Sequence, residues 1–371
     1  MKISKVIYTF LSVGVAVFIL ANCQKKQDEA STTPSQYLYV ASGVCYSGSN
    51  TTFTNATSSN LIYRINPDSG SIDMTLADYY ASPSNAGDSP ASIVDGDSDF
   101  IYALIENTTT ASLRRIEKIE KKQNGARSIF SNNTTAFSTQ LRHFTKLSSG
   151  DFAVSKSGAI EYVTSANVRI GAPYISASAA PCNTSTTLIS KVLTLSNGKF
   201  VFLHAAAGQN RIGIFATGGG TTCLAGQAAP NANAYPTAAF YDAANTKLVV
   251  AYSGNATTVD LNSIYVYSID ETANTITSAT KIYDASLYPG TYGYLLYGIS
   301  EMTYDSANKT VYIATAVSPA TTVANYAIEK FTYDPTQLGV DNTKVLNRVG
   351  GTPFFNFGSE TKCISKMFIA K

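Results

Sequence analysis

The sequence predicts an all-β fold: a β-propeller of six blades, with seven as the alternative count, whose C-terminal strand closes the ring against the N-terminal strand. Three observations carry this. First, a strand–turn–strand unit occurs in two near copies, Tyr241-Asp242-Ala243-Ala244-Asn245-Thr246-Lys247-Leu248-Val249-Val250-Ala251 and Tyr304-Asp305-Ser306-Ala307-Asn308-Lys309-Thr310-Val311-Tyr312-Ile313-Ala314. Second, another strand type recurs with a leading isoleucine at 62, 116, 160, 212, 264 and 328, at intervals of about 50 residues, the length of one four-stranded blade. Third, the hairpin at 144–152, turning on Ser149-Gly150, matches the one at 192–200, turning on Asn197-Gly198. Such a unit cannot bury its apolar face alone, so its recurrence implies units packed side by side.

At the N-terminus, Lys2 and Lys5 precede an uncharged, mostly apolar run over 6–20. That is short for a bilayer span, which needs roughly 20 residues, and suits a signal-peptide core. Leu20-Ala21-Asn22-Cys23 ends the run, and Gln24-Lys25-Lys26-Gln27-Asp28-Glu29 follows at once. This arrangement resembles a bacterial lipoprotein signal. Asn22 stands where most lipoboxes carry Gly, Ala or Ser, as in the looser spirochaete type. The resemblance implies a signal peptide over 1–22, acyl chains such as palmitate on Cys23, and a lipidated flexible tether over 23–36. It also implies a membrane partner through the N-terminal lipid, and a location in the cell envelope, at the outer membrane, on its periplasmic or surface side. An uncleaved anchor or a secreted chain is the alternative.

Without residues 1–22, the 27 Lys and Arg fall by two and the 25 Asp and Glu are unchanged, so the remaining chain is formally neutral. With only 14% charged residues, it carries no electrostatic footprint for nucleic acid.

From Tyr37 onward short β-rich segments alternate with Gly, Asn, Ser and Thr, and the propeller is assigned to 37–371. Ser-Gly and Asn-Gly are hairpin pairs because a positive φ costs glycine nothing. The inner hairpins fall at 92–105, 141–155, 190–204, 237–252 and 300–315. The sixth inner strand is supplied by the C-terminus, where 362–371 pairs with 37–42 and removes an exposed edge. Leu113, Ile116 and Ile119 also fit a helical spacing, but alignment with the other blades places them on a strand. Tyr37-Leu38-Tyr39-Val40-Ala41 and Val311-Tyr312-Ile313-Ala314 resemble the repeats of YVTN and WD40-like propellers of bacterial envelopes. That resemblance speaks to architecture and not to function. The absence of Trp sets the chain apart from propellers built on Trp-docking repeats.

Four cysteines follow Cys23 and allow three pairings. Placing Lys371 opposite Tyr37 in antiparallel register sets Cys363 opposite Cys45, which leaves Cys182 for Cys223. An exported location permits both bridges; four buried thiols are the alternative.

Candidate sites are few. The two histidines are His143, on an innermost strand, and His204, at the end of a second strand; either approaches the channel or is a structural core residue. No GxSxG, HExxH, Walker or dinucleotide fingerprint occurs, and no cofactor is expected. Asp95, Asp97 and Asp99, with Glu106 further on, space oxygen ligands as a calcium loop does, but Phe100 stands where such a loop needs Gly; a solvated hairpin turn is the plain alternative. The segments 43–60, 81–90, 171–187, 285–299 and 317–326 are longer than turns require and share one face. Within them Tyr288, Tyr292, Tyr294 and Tyr297, interspersed with glycine, offer contact area for a protein or carbohydrate ligand, or pack between blades. The sequence thus reads as a lipid-anchored, non-catalytic binding module. The alternatives are a metal-dependent hydrolase or lactonase-like propeller enzyme, and an envelope-assembly scaffold.

Overall fold

A computed structural model describes residues 35–46, 52–54, 60–79, 87–132, 134–156, 159–164, 166, 189–205, 211–215, 223–253, 261–316, 325–358 and 362–371. Cys23, Cys182 and the segment 171–187 lie outside them. The compact unit is Gln36–Lys371.

Six antiparallel sheets follow one another in chain order. From the inside outward, blade 1 is Ile364–Ala370, Tyr37–Ser42, Leu61–Ile65 and Ile72–Asp78; blade 2 is Asp88–Asp95, Phe100–Asn107, Arg115–Glu120 and Arg127–Ser131. Blade 3 has three described strands, Leu141–Lys146, Phe152–Lys156 and Ala159–Val163. Blade 4 is Ile189–Thr194, Phe200–His204, Arg211–Phe215 and Cys223–Ala228, and blade 5 is Tyr235–Asp242, Lys247–Ser253, Ser263–Asp270 and Thr275–Asp284. Blade 6 is Tyr297–Asp305, Thr310–Ala316, Asn325–Tyr333 and Leu346–Arg348. The first strands touch their neighbours all the way round, blade 6 meeting blade 1 and blade 1 meeting blade 2. The ring is therefore a six-bladed propeller.

The recurring isoleucines 62, 116, 160, 212, 264 and 328 all lie on third strands, and all are fully buried. Their burial follows from stacking: both faces of a blade are covered, so that even the charges beside them, Glu117, Glu161 and Glu329, are buried. The described core accordingly divides into six clusters, one at each blade–blade junction. Burial at these junctions supplies the main cohesive force, at roughly 25 cal/mol per Å² of apolar surface. The two near-copy hairpins share one turn. Asp242 and Asp305 accept from Asn245 and Asn308 through their side chains, each at 2.7 Å, and Thr246 and Lys309 both take a positive φ. The segment with a competing helical spacing is the strand Arg115–Glu120, preceded by one 3-10 turn at Ala111–Leu113.

Ring closure departs from the expected register by one residue. Tyr37 faces Ala370, not Lys371, and the register shifts again between Ala41 and Ser42, which face Lys366 and Ile364. Gly43 N–H donates to Cys363 O at 2.9 Å, so Cys363 lies beside Gly43, and Cys45 continues into a separate hairpin with Phe53 opposite. A bulge at Ser365 accounts for the second shift: it inserts one residue and turns the strand, so that by Ser42 the pairing stands two residues from the expected register. Cys223 and Cys363 are both disulfide-bonded.

Candidate functional site in the central channel

The bulge at Ser365 is not unique. Every first strand shifts register against its second strand near the end at which it enters the sheet. The skipped positions are Ala91, Arg142, Ser190, Thr237, 298–300 and Ser365. Bulge serines tie blades together: Ser365 Oγ donates to Pro90 O of the next blade at 2.9 Å, and Ser190 Oγ to Pro236 O at 3.1 Å. Immediately after the bulge, each blade places one residue at an equivalent level. In blade order 1 to 6 these are Lys366, Ser92, His143, Lys191, Ala238 and Glu301.

Three of them meet. Glu301 accepts from Lys191 through Oε2 and from Lys366 Nζ through Oε1, the latter at 2.9 Å. Lys191 also donates to Ser365 O at 3.0 Å, so it reaches from blade 4 across to blade 1 and plugs the channel. Burial pushes the Lys191 pKa down, Glu301 opposes that shift, and Lys366 adds to it. Two ammonium groups share one carboxylate, leaving an excess of one positive charge.

His143 adjoins this plug. Its Nδ1 accepts from Val192 N–H of blade 4 at 3.3 Å, so the neutral ring carries its proton on Nε2. Burial, reinforced by the Lys366 and Lys191 charges, holds its pKa well below the usual imidazole range. Unfolded His143 takes up a proton below about pH 6.5 and folded His143 does not, so stability is expected to fall from there at about 1.4 kcal/mol per pH unit. The groups facing it are Lys191, Lys366 and the Val192 N–H, with Glu301 behind the lysines. Urea unfolding between pH 7 and 5 should show a shallower slope in His143→Phe than in the parent. Equal slopes would mean that His143 is protonated in the folded state.

The plug is poorly suited to acid–base or metal chemistry. His143 offers only an N–H, and two lysines surround the one carboxylate, a field that repels a cation. His204 is fully buried at the end of its strand, opposite Ile189. Of the calcium candidates, Asp97 Oδ1 accepts from the N–H groups of Asp99 and Phe100 at 2.9 and 3.0 Å, and Asp95 pairs with Lys121 at 2.7 Å. Glu106 lies at the far end of the strand, about 20 Å away, held by Arg114 and by Leu141 N–H, both at 2.6 Å. The four carboxylates do not converge. Among the described residues, no group of three or more His, Cys, Asp or Glu does so in metal-binding geometry.

The four tyrosines divide. Tyr294 is buried, stacked on Tyr283 at 5.5 Å and edge-on to Phe331 at 5.0 Å, and its hydroxyl donates to Leu346 O at 3.2 Å. Tyr292 leans on Tyr283 at 4.8 Å, Tyr297 is half-buried against the same cluster, and Tyr288 is exposed. Two shallow cavities lie elsewhere. One, of about 390 Å³, adjoins Arg115, Glu117 and Arg127 of blade 2; the other, of about 630 Å³, runs along hydroxyl-rich turns of blades 4 and 5.

Sequence reasoning found His143 but missed Lys191, Glu301 and Lys366. The signal lay in the aligned inner strands, where Ser190-Lys191, Ser300-Glu301 and Ser365-Lys366 repeat a hydroxyl followed by a charge.

Fold and plug together define the class, a six-bladed propeller with a charged, closed centre. No protein-family profile matches the chain, and no curated protein does. Solved structures do. A protein of unknown function from Bacteroides caccae matches with TM-score 0.52 and 12% identity, over 91% of this chain and 100% of its own. A chain of a nidogen/laminin complex matches with TM-score 0.55 and 10% identity, over 91% and 98%. A candidate 6-phosphogluconolactonase from Bacteroides uniformis matches with TM-score 0.52 and 10% identity, over 91% and 100%. At such identity the likeness is one of fold.

Proposed function

We propose that this chain is a lipid-anchored envelope protein whose propeller is a non-catalytic binding module. The observation that carries the reading is the long, tyrosine-bearing connection between blades 5 and 6. On one face, first strands pass to second strands through tight turns such as 96–99, 147–151 and 243–246. On the other, the connection between blades 5 and 6 runs over 285–296 and carries Tyr288, Tyr292 and Tyr294. Extra chain in such a connection costs loop entropy, which fits selection for contact. The channel opening onto that face is closed by Lys191, so the loops themselves form the recognition surface, with Tyr288 the most exposed of the four tyrosines. The lipid anchor rests on the apolar run over 6–20 and Cys23 after it. The nidogen/laminin likeness agrees with a propeller that serves protein assembly; the lactonase likeness is the competing analogy.

The test is protease shaving of intact cells, followed by ligand screening of the purified full-length protein. Cys23→Ala should release the protein from the detergent phase. Its loss from shaved cells, with a periplasmic control intact, would direct the screen to matrix proteins and glycans; protection would direct it to periplasmic partners. Rapid hydrolysis of 6-phosphogluconolactone by the purified protein would overturn the binding reading.

A further inference from the structure

The cavity of about 390 Å³ on blade 2 falls within the range of small-molecule sites, roughly 300–1,000 Å³. Its floor is one face of the outer half of the blade. Glu117 lies opposite Ile129, and Ile119 opposite Arg127, across the two outermost strands; alternation puts Arg115 on the same face as Glu117. Ser112, from the loop before the third strand, and Ser128 and Asn132, on and just beyond the edge strand, complete the lining.

The charges of this floor are engaged, with one exception. Arg115 is buried and donates from Nη1 and Nη2 to Asp88 at 3.1 and 2.6 Å, from Nε to Glu117 at 2.7 Å, and from Nη1 to Leu113 O at 2.8 Å. Glu117 also accepts from the Tyr79 O–H at 2.5 Å. The exception is Arg127. Its guanidinium rests over the Tyr79 ring, 4.8 Å from the centroid, and makes no hydrogen bond or ion pair among the described residues. Nη1 is enclosed against the protein, so Nε and Nη2 are the donors left to the cavity.

We infer that this cavity binds a hydroxylated monocarboxylate of sugar size, a uronic acid, with its carboxylate on Nε and Nη2 of Arg127. One edge of a planar guanidinium holds a carboxylate through two parallel hydrogen bonds. Ser112, Ser128 and Asn132 are exposed and supply donors and acceptors for ring hydroxyls, and Ile129, 60% exposed, gives the ring an apolar wall. Charge narrows the class further. Arg115 and Arg127 balance Asp88 and Glu117, so one guanidinium is matched to a single negative charge, and a phosphate dianion is disfavoured. An ammonium group finds no free carboxylate, because Arg115 and Tyr79 already hold Asp88 and Glu117, which sets amino acids aside. The site belongs to blade 2 and stands independently of any ligand at the 285–296 connection.

Calorimetric titration of the purified full-length protein with glucuronate, glucose and a glucuronate-terminated disaccharide tests this. Glucuronate should bind at least about tenfold more tightly than glucose, the difference expected when hydrogen bonds to a charged group are removed. Tighter binding of the disaccharide would assign the ligand to a glycan end, and equal or weaker binding to the free sugar acid. Arg127→Met should abolish the preference for glucuronate, and Asn132→Ala should weaken both monosaccharides. Tyr288→Ala should leave glucuronate affinity unchanged, which separates this site from the loop surface. No binding at millimolar glucuronate, equal affinity for glucose, or an unaltered preference in Arg127→Met overturns the proposal. If Arg127→Met fails to fold, the glucose comparison and Asn132→Ala still decide it.

Discussion

Glu301→Gln is expected to destabilise the propeller by about 3–5 kcal/mol, the usual cost of leaving buried charge without its partner. The carboxylate is 1% exposed and balances two ammonium groups that come from different blades. Its loss sets Lys191 and Lys366 against each other in a low dielectric. Lys191→Met should cost much less, because Lys366 and Glu301 then remain as a balanced pair and the methionine keeps the apolar stem packed. The double replacement Lys191→Met with Glu301→Gln should recover part of the loss, the non-additivity expected of contacting residues. Urea unfolding of the three variants measures all of this. If Glu301→Gln cost no more than Lys191→Met, Glu301 would not be the shared neutralising group.

Opening the ring should be at least as severe. We propose that Cys363 pairs with Cys45, and Cys223 with Cys182. Cys363 lies beside Gly43 in the closing hairpin, two residues from Cys45, and both Cys363 and Cys223 are disulfide-bonded. In the chain-entropy description, a bridge closing over 300 residues contributes about 6 kcal/mol, and one closing about 40 residues about 4 kcal/mol. Cys363→Ser should therefore lower stability more than Cys223→Ser does, and should expose the blade 6–blade 1 junction to hydrogen exchange first. Peptide mapping without reduction reads the pairing itself. A peptide linking Cys363 to Cys182 would refute the assignment and move the clasp away from the ring closure.

Much of the architecture was legible because it repeats. Ile62, Ile116, Ile160, Ile212, Ile264 and Ile328 recur at intervals of about one blade and so mark the third strands, although charges such as Glu117, Glu161 and Glu329 stand beside three of them. Tight turns are equally local: the Asp–Asn pairs at 242/245 and 305/308 and the glycines at 150 and 198 fix their hairpins within a few residues. The C-terminal strand was readable as the missing member of blade 1 because only one terminus had an unpartnered strand to offer.

The site was not legible in the same way. Lys191, Glu301 and Lys366 are far apart in the chain, and each looks like an ordinary surface charge on a short strand. Only ring closure brings blades 1, 4 and 6 to a common axis, and only the repeated bulge puts all three at one level. The register at Ser365 was likewise not drawn from the sequence, since the pairing was argued from the chain ends and one inserted residue shifts it. Local patterning therefore determined which strands exist and in what order they pair. The tertiary structure alone decided which charges face the channel, because burial there depends on the shape of the whole ring and not on any neighbour along the chain.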